Sequence, residues 1–198
     1  MVLMAIREII QVGDPRLKAP NKKVEDFKQS ALKEVVLDLI ETMRANELIG
    51  MAAPKIGENW RVFVTEPRET KFRTASQVDE LRVYINPKIT VTSEEQVVIW
   101  EGCGSFVHGE LFGPVNRPKE ITIEAQDLGG KRFRLVCDGI LARVIQHEYD
   151  HLDGIEFIEK VADLGQLKNA DFYIRDIKGS QKQIKASVIT KKVAQLLD

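Results

Sequence analysis

The chain has 198 residues, of which 43% are hydrophobic, and this is enough to bury a core in a single domain spanning residues 1–198. Its 29 basic and 30 acidic residues nearly cancel, so we expect no direct nucleic-acid binding. No stretch approaches 18 apolar residues, and charged Arg7 and Glu8 interrupt the mildly apolar start, so we expect neither a membrane span nor a signal peptide.

The first half of the chain predicts one helix followed by strands. Apolar residues recur every three or four positions across residues 29–46, which predicts an amphipathic helix. Residues 61–65 and 81–85 are rich in β-branched and aromatic side chains and predict strands. The pair Asn86-Pro87 is a turn signal and is expected to end the second strand.

The second half predicts a hairpin and then a helix. Residues 120–126 and 131–137 predict two strands joined across the glycines of residues 128–130. A helix is expected from residue 138 to about residue 152. Strands followed by a helix predict an α+β fold, with small antiparallel or mixed strands around one central helix.

The last part of the chain, from about residue 162, predicts an amphipathic helix near its end. Its apolar positions face one side and its lysines the other. We expect this helix to pack on its own domain. The apolar positions are Ile184, Val188, Ile189, Val193, Leu196 and Leu197.

The central predicted helix carries the motif His-Glu-x-x-His. His147 and His151 are four residues apart and therefore lie one above the other on a helix, where both imidazoles can bind one cation. Glu148 projects about 100° further round, within reach of a water on that cation. The chain has three histidines, and two of them are in this motif.

The alternative is that these histidines are ordinary hydrogen-bonded residues. Ile140 and Val144 precede His147 and His151 on one stripe of the helix, so the imidazoles are expected to be buried. Two buried imidazoles without a shared partner would be costly, and we therefore favour a metal site.

A catalytic site of this kind needs a third protein ligand. One metalloprotease pattern, HExxHxxGxxH, has its glycine at Gly154, but Phe157 replaces the last histidine. Glu156 and Glu159 lie too close in sequence, within or after residues 155–158, which we expect to be extended. A metalloendopeptidase is therefore disfavoured.

The soft candidates for the third ligand are Cys103, Cys137 and His108. Cys103 is favoured, because the neighbouring glycines let the backbone approach a ligand closely. Cys137 lies in a predicted strand, where a free cysteine is usually a small apolar residue. Two cysteines do not form a disulfide framework, and a cysteine ligand favours a reducing, cytoplasmic location.

Three sequence blocks in order resemble the peptide deformylase family. Residues 50–57 read GMAAPKIG and are similar to GLAAPQIG in the family. Residues 101–105 read EGCGS and resemble EGCLS, and residues 146–154 read QHEYDHLDG and match QHExDHLxG. Residues 12–17 also resemble the family's opening segment, so the likeness spans about residues 5–160.

The chain departs from these blocks at two positions. Lys55 stands where the family has a glutamine, and Gly104 stands where it has a leucine. In the family, the glutamine amide and the backbone N–H at the leucine position stabilise the oxyanion. Gly104 keeps its N–H, and Lys55 can donate but places a positive charge beside a dication.

The resemblance implies a complete site. Its metal ligands are Cys103, His147 and His151, and its catalytic groups are Glu148, Gly104 and Lys55. A methionine pocket is implied at Gly50, Ile99, Ile140 and Val144, and an arginine that orients Glu101 is implied at Arg117. The implied cation is Fe²⁺, with Zn²⁺ or Ni²⁺ as alternatives that the sequence does not separate.

The implied reaction is removal of the formyl group from N-formylmethionyl peptides, with release of formate. Some family members contact the ribosome through a C-terminal helix, which adds a transient ribosome contact as an option. Two other functions remain open: an amidase for another small acyl group, because Gly104 opens space, and a deformylase-like protein with weak turnover, because of Lys55.

Overall fold

The computed structural model describes residues 5–74 and 78–197. Its helices are α1 (Ser30–Ala45), α2 (Gly139–Leu152), α3 (Ala170–Tyr173) and α4 (Gln181–Ser187), and α3 continues into a π-helical turn at Ile174–Lys178. Its strands are β1 (Gly50–Ala52), β2 (Val62–Thr65), β3 (Arg82–Thr92), β4 (Gln96–Gly102), β5 (Leu111–Pro118), β6 (Glu120–Gln126), β7 (Arg132–Asp138), β8 (Lys168–Asn169) and β9 (Lys192–Leu196).

The strands form two antiparallel sheets. The larger sheet has six strands in the order β1-β2-β3-β6-β7-β9, and the smaller has three in the order β4-β5-β8. Every strand pair in both sheets is antiparallel. The α+β class predicted from the sequence is confirmed.

Helix α2 is the central element and is buried on almost all sides. It contacts β1 and β2 at one end of the larger sheet and β7 further along it. Its buried residues include five polar or charged ones, Arg143, Gln146, His147, Glu148 and His151. Because burying polar groups is costly unless they are paired, this helix is where a functional site is expected. Among the described residues, no helix is long and apolar enough to cross a bilayer.

The predicted first helix and the predicted hairpin are confirmed. The helix expected at residues 29–46 is α1, which packs its buried Leu32, Val36 and Leu39 onto the first strands of the larger sheet. The expected hairpin is β6 and β7, paired from Glu120 opposite Asp138 to Gln126 opposite Arg132.

The prediction that Asn86-Pro87 ends a strand is wrong. β3 continues through this pair to Thr92, with a shift in register between Ile85 and Lys88. Asn86 takes a positive φ of 50°, and its side chain bonds both the N–H and the C=O of Val24. The Asn86-Pro87 pair therefore marks a β-bulge, at which the Asn86 side chain forms hydrogen bonds with the backbone of a neighbouring loop.

Two predictions for the end of the chain are also wrong. Residues 155–158 are not extended, because Phe157–Lys160 form a 3₁₀ turn. The C-terminal helix covers only Gln181–Ser187, and Lys192–Leu196 form strand β9 on the open edge of β7. Asp138 accepts hydrogen bonds from the N–H groups of Thr190 and Lys191 at 2.7 and 2.9 Å, which holds this segment extended beside the sheet.

Candidate active site

Three buried side chains bring their ligand atoms together at the centre of the molecule. The Sγ of Cys103 lies 3.4 Å from the Nε2 of His151, which lies 3.3 Å from the Nε2 of His147. All three atoms lie within 4.8 Å of one another. Cys103 follows the end of β4, and α2 supplies both histidines one turn apart.

The spacing of these atoms fits a divalent cation. Tetrahedral sites with nitrogen at ~2.0–2.1 Å and sulfur at ~2.3 Å from the metal place neighbouring ligand atoms roughly 3.3–3.6 Å apart. The separations of 3.3 and 3.4 Å fall in this range. Three protein ligands leave a fourth position for water or substrate, as in catalytic sites.

The outer nitrogen of His147 is held by a charged network. Its Nδ1 lies 2.8 Å from Glu101 Oε2, and Arg117 donates two hydrogen bonds to the same carboxylate at 2.7 and 3.0 Å. Arg143 donates a third at 2.7 Å, and Arg117 also pairs with Asp150 at 2.5 Å. With Nδ1 engaged, His147 presents Nε2 to the cluster, which is the tautomer that a metal ligand requires.

The sequence analysis missed Arg143, Asp150 and Glu156 as neighbours of the site. Arg143 lies four residues before His147 and therefore on the same face of the helix. This spacing could have indicated that Arg143 lies near the site. Glu156 was rejected as a ligand, yet its carboxylate lies 3.6 Å from His151 Nδ1. The 3₁₀ turn that replaces the expected extended run brings it there.

The pKa values of Cys103 and His151 are shifted toward the forms that bind a metal. Burial raises the pKa of the Cys103 thiol, but Lys55 and His147 lower it by more, so the net shift is downward. Burial and the nearby positive charges of Lys55 and His147 lower the pKa of His151 well below its usual value. Thiolate sulfur and neutral imidazole are the forms that bind metals.

The pKa of His147 is raised instead. Burial lowers it, but Cys103 and Glu101 outweigh burial and raise it to about 10. We therefore expect His147 to be protonated in the metal-free site at neutral pH.

Metal loading at pH 7 should accordingly release the His147 proton, so at least one proton per cation. Affinity should rise at least about tenfold per pH unit from pH 7 to 9, since the His147 proton competes with the cation over this range. Titration calorimetry in buffers of different ionisation enthalpy measures the number of protons released. Release of no proton would mean that His147 is already neutral in the metal-free site, against the expectation.

Lys55 and Glu148 face each other beside the cluster. Both side chains are buried, and Lys55 Nζ lies 3.9 Å from Glu148 Oε2. Burial lowers the pKa of Lys55. The Cys103 sulfur and the Glu148 and Glu156 carboxylates raise it by more, so the net shift is upward and Lys55 carries its charge. Glu148 Oε2 has no hydrogen-bond partner among the described residues.

A cleft leads from solvent to this cluster. The cavity volume of this cleft is about 60 Å³. Of the predicted pocket residues, Gly50, Ile140 and Val144 line it, whereas Ile99 is buried away from it. The lining also includes Cys103, His147, Glu148, Lys55, Phe72, Arg73 and Phe112.

The space that a larger residue would take at Gly104 is partly occupied. A Cβ added there would lie 3.1 Å from the terminal carbons of both Ile9 and Leu48. Gly104 still lines a cavity of about 220 Å³ together with these two side chains. The Gly104 C=O accepts a hydrogen bond from Gln11 at 2.9 Å, which holds the backbone after Cys103 in place.

Gly50 has no room for a side chain, because its Cα lies against Val144 and Glu148. A Cβ there would lie 2.4 Å from Val144 and 2.6 Å from Glu148 Oε1. We expect Gly50→Ala to displace Glu148 and to lower turnover about 10²-fold, since small misplacements of catalytic groups have effects of this size.

Metal content should be kept in Gly50→Ala, because no ligand is touched. Gly179→Ala is the matched control, since nothing lies within 4 Å of its added Cβ. Steady-state assays with metal analysis compare the two, and a loss of metal in parallel with turnover in Gly50→Ala would contradict the expectation.

Comparisons with known proteins identify the family. The family model for polypeptide deformylase matches residues 6–167. The chain belongs to the peptide deformylase family. The curated peptide deformylase of Dictyoglomus thermophilum is 40% identical over 158 residues, covering 80% of this chain and 94% of the relative. That of Treponema pallidum is 38% identical over 154 residues, covering 78% and 87%.

Solved structures of the family share the fold. The Thermotoga maritima peptide deformylase superposes with a TM-score of 0.70 at 33% identity, covering 80% of this chain and 99% of that one. The Acinetobacter baumannii enzyme, solved with Met-Ala-Ser bound, gives a TM-score of 0.75 at 26% identity over 80% and 100%. Residues after 167 lie outside the family match, and they include α3, α4 and β9.

Proposed function

We propose that this chain is a metal-dependent peptide deformylase that removes the formyl group from N-formylmethionyl peptides. The observation that carries the proposal is the buried cluster of one cysteine and two histidines, with the free carboxylate of Glu148 beside it at the bottom of a cleft. Membership of the deformylase family supplies the reaction.

We propose Cys103, His147 and His151 as the metal ligands. When bound, a divalent cation lowers the pKa of a water toward ~7 and polarises a carbonyl oxygen. One thiolate and two imidazoles suit Fe²⁺, Zn²⁺ and Ni²⁺ alike. We propose Fe²⁺ on the family resemblance alone.

Glu148 acts as the general base and then as the general acid in this proposal. Its free oxygen accepts a proton from the attacking water and returns it to the amine of the leaving methionine. The Lys55 ammonium and the Gly104 N–H donate to the carbonyl oxygen as negative charge develops on it. Lys55 Nζ lies 3.9 Å from Glu148 Oε2, which supports the proposal that both groups act on the same substrate carbonyl.

Glu101 and Arg117 orient His147 in this proposal. Glu101 is 2% exposed, and the guanidinium groups of Arg117 and Arg143 lower its pKa by more than burial raises it. The carboxylate therefore stays ionised and holds the His147 ring through Nδ1. Outer-shell partners of this kind typically change metal affinity ~10–100-fold.

Gly50, Ile140 and Val144 are proposed to receive the methionine side chain. They line the cleft together with Phe112 and Cys103, which makes its wall apolar next to the cluster. The buried position of Ile99 gives no support to a direct contact with substrate. The contacts of Ile9 and Leu48 around Gly104 give no support to an amidase for another small acyl group.

A formate-release assay on formyl-Met and acetyl-Met peptides tests the function. We expect turnover of the formyl peptide to be at least about tenfold faster, since one added carbon typically changes recognition ~10–200-fold. Equal rates on both peptides would overturn the assignment.

Substitutions of Lys55 separate a working enzyme from a weak one. Lys55→Gln keeps a donor and should stay within about tenfold of wild type, whereas Lys55→Met lacks one and should lose ~10²–10³-fold in kcat. Initial rates at matched metal content measure both. A large gain in Lys55→Gln would instead favour the weak-turnover alternative, and an unchanged Lys55→Met would remove Lys55 from the mechanism.

We propose that residues 1–198 form one catalytic domain in the cytoplasm. The single domain is supported by β8 and β9, which add one strand to each sheet. The cytoplasmic location is supported by the two free, buried cysteines, because a thiolate ligand needs a reducing compartment. Ribosome contact stays a prediction, and it receives no support from Lys192–Leu196, which form a strand.

A further inference from the structure

Glu156 is a buried carboxylate that the proposed reaction does not use. Its side chain is 3% exposed, and Glu156 starts the 3₁₀ turn Phe157–Lys160 in a capping box with Glu159. Apart from this turn, neither carboxylate oxygen has a hydrogen-bond partner among the described residues, and the Nδ1 of His151 lacks one as well. The two groups face each other, with Glu156 Oε2 3.6 Å from His151 Nδ1. Burying a carboxylate is costly, so this one calls for a compensating contact.

The two histidines of the cluster have matching outer partners. His147 Nδ1 faces Glu101 at 2.8 Å, and His151 Nδ1 faces Glu156 at 3.6 Å. The difference lies in the neutralising cations. Arg117 and Arg143 bond Glu101 directly, whereas no arginine within the described residues bonds Glu156.

We propose that Glu156 is a positioning residue for the metal site. Its carboxylate faces His151 Nδ1 and holds the ring with the proton on Nδ1 and Nε2 turned to the cation. This inference rests on the proposed metal ligands, and it concerns cation binding rather than turnover.

Substitutions at Glu156 test the positioning role. Glu156→Leu removes the acceptor and the charge, and should weaken binding of Co²⁺ to the metal-stripped protein ~10–100-fold. Glu156→Gln keeps an acceptor for Nδ1–H and should recover part of this loss. Glu95→Gln is the matched control, because that carboxylate is exposed and pairs with Lys119 at the surface. Chelator competition gives the dissociation constants, and the visible spectrum of the Co²⁺ protein reports the ligand geometry.

If Glu156 only stabilised the fold, Glu156→Leu would lower the unfolding temperature of the metal-free protein. The positioning role predicts instead that this variant unfolds at or above the wild-type temperature, because an apolar side chain replaces a buried charge. If Glu156→Leu binds Co²⁺ as tightly as wild type with an unchanged spectrum, the positioning role is overturned.

If wild type and Cys103→Ala bind Co²⁺ alike, the proposed ligand set itself fails, and that outcome is distinct from a failure at Glu156.

Discussion

Glu148→Ala should lose turnover by ~10²–10⁴-fold while keeping its metal, because a general base contributes a factor of this size and the substitution touches no ligand. Glu148 Oε2 is buried without a hydrogen-bond partner among the described residues. Its removal therefore takes away the proposed proton acceptor, and the facing Lys55 ammonium loses one of its neighbouring carboxylates. Formate release at saturating formyl-Met peptide, with metal analysis of the same sample, measures the effect.

The control for Glu148→Ala is Asp153→Ala. Asp153 lies at the end of the same helix, and its half-exposed side chain pairs with Arg61. We expect this variant to turn over at close to the wild-type rate. Near-native activity in Glu148→Ala would mean that another group accepts the proton, and a loss of metal in that variant would mean that Glu148 supports the ligands instead.

Cys103→Ala should lose metal, by more than the ~10–100-fold that outer-shell substitutions cause, because one of three protein ligands is removed. Activity should fall with metal content. Cys137→Ala provides a matched comparison, since Cys137 is equally buried but lies on β7 within the apolar core. Burial raises the pKa of Cys137 to about 12, so its sulfur stays a neutral thiol.

Cys137→Ala is expected to cost some stability and no metal. Equilibrium dialysis at neutral pH under reducing conditions gives metal per chain for both variants. If Cys137→Ala lost metal and Cys103→Ala kept it, the third ligand would have been assigned to the wrong cysteine.

Apolar periodicity in the sequence correctly predicted the helices and strands that have one buried and one exposed face. The apolar spacing of α1 and the alternation in β6 and β7 reflect burial on one face, which sequence periodicity reports directly. Lys192–Leu196 was predicted as helix because its apolar residues also suit a helical stripe. It became strand β9 because the edge of β7 and the Asp138 carboxylate hold it extended, and neither partner is visible in local sequence.

The candidate site shows the same division. The histidine spacing and the glycines around Cys103 pointed to the three side chains that the fold brings together. Glu156 was dismissed because an extended chain would have carried it away from the helix, whereas a 3₁₀ turn keeps its carboxylate at His151. Turn geometry of this kind depends on what the segment packs against, here through buried Phe157 in contact with Phe106.

X-ray absorption at the metal edge of protein loaded with one equivalent of Zn²⁺ is the most direct test of the proposed centre. We predict one sulfur neighbour at ~2.3 Å and two imidazole nitrogens at ~2.0–2.1 Å, with a light atom completing four-coordination. A spectrum without sulfur, or with only one imidazole, would contradict a cation held by Cys103, His147 and His151.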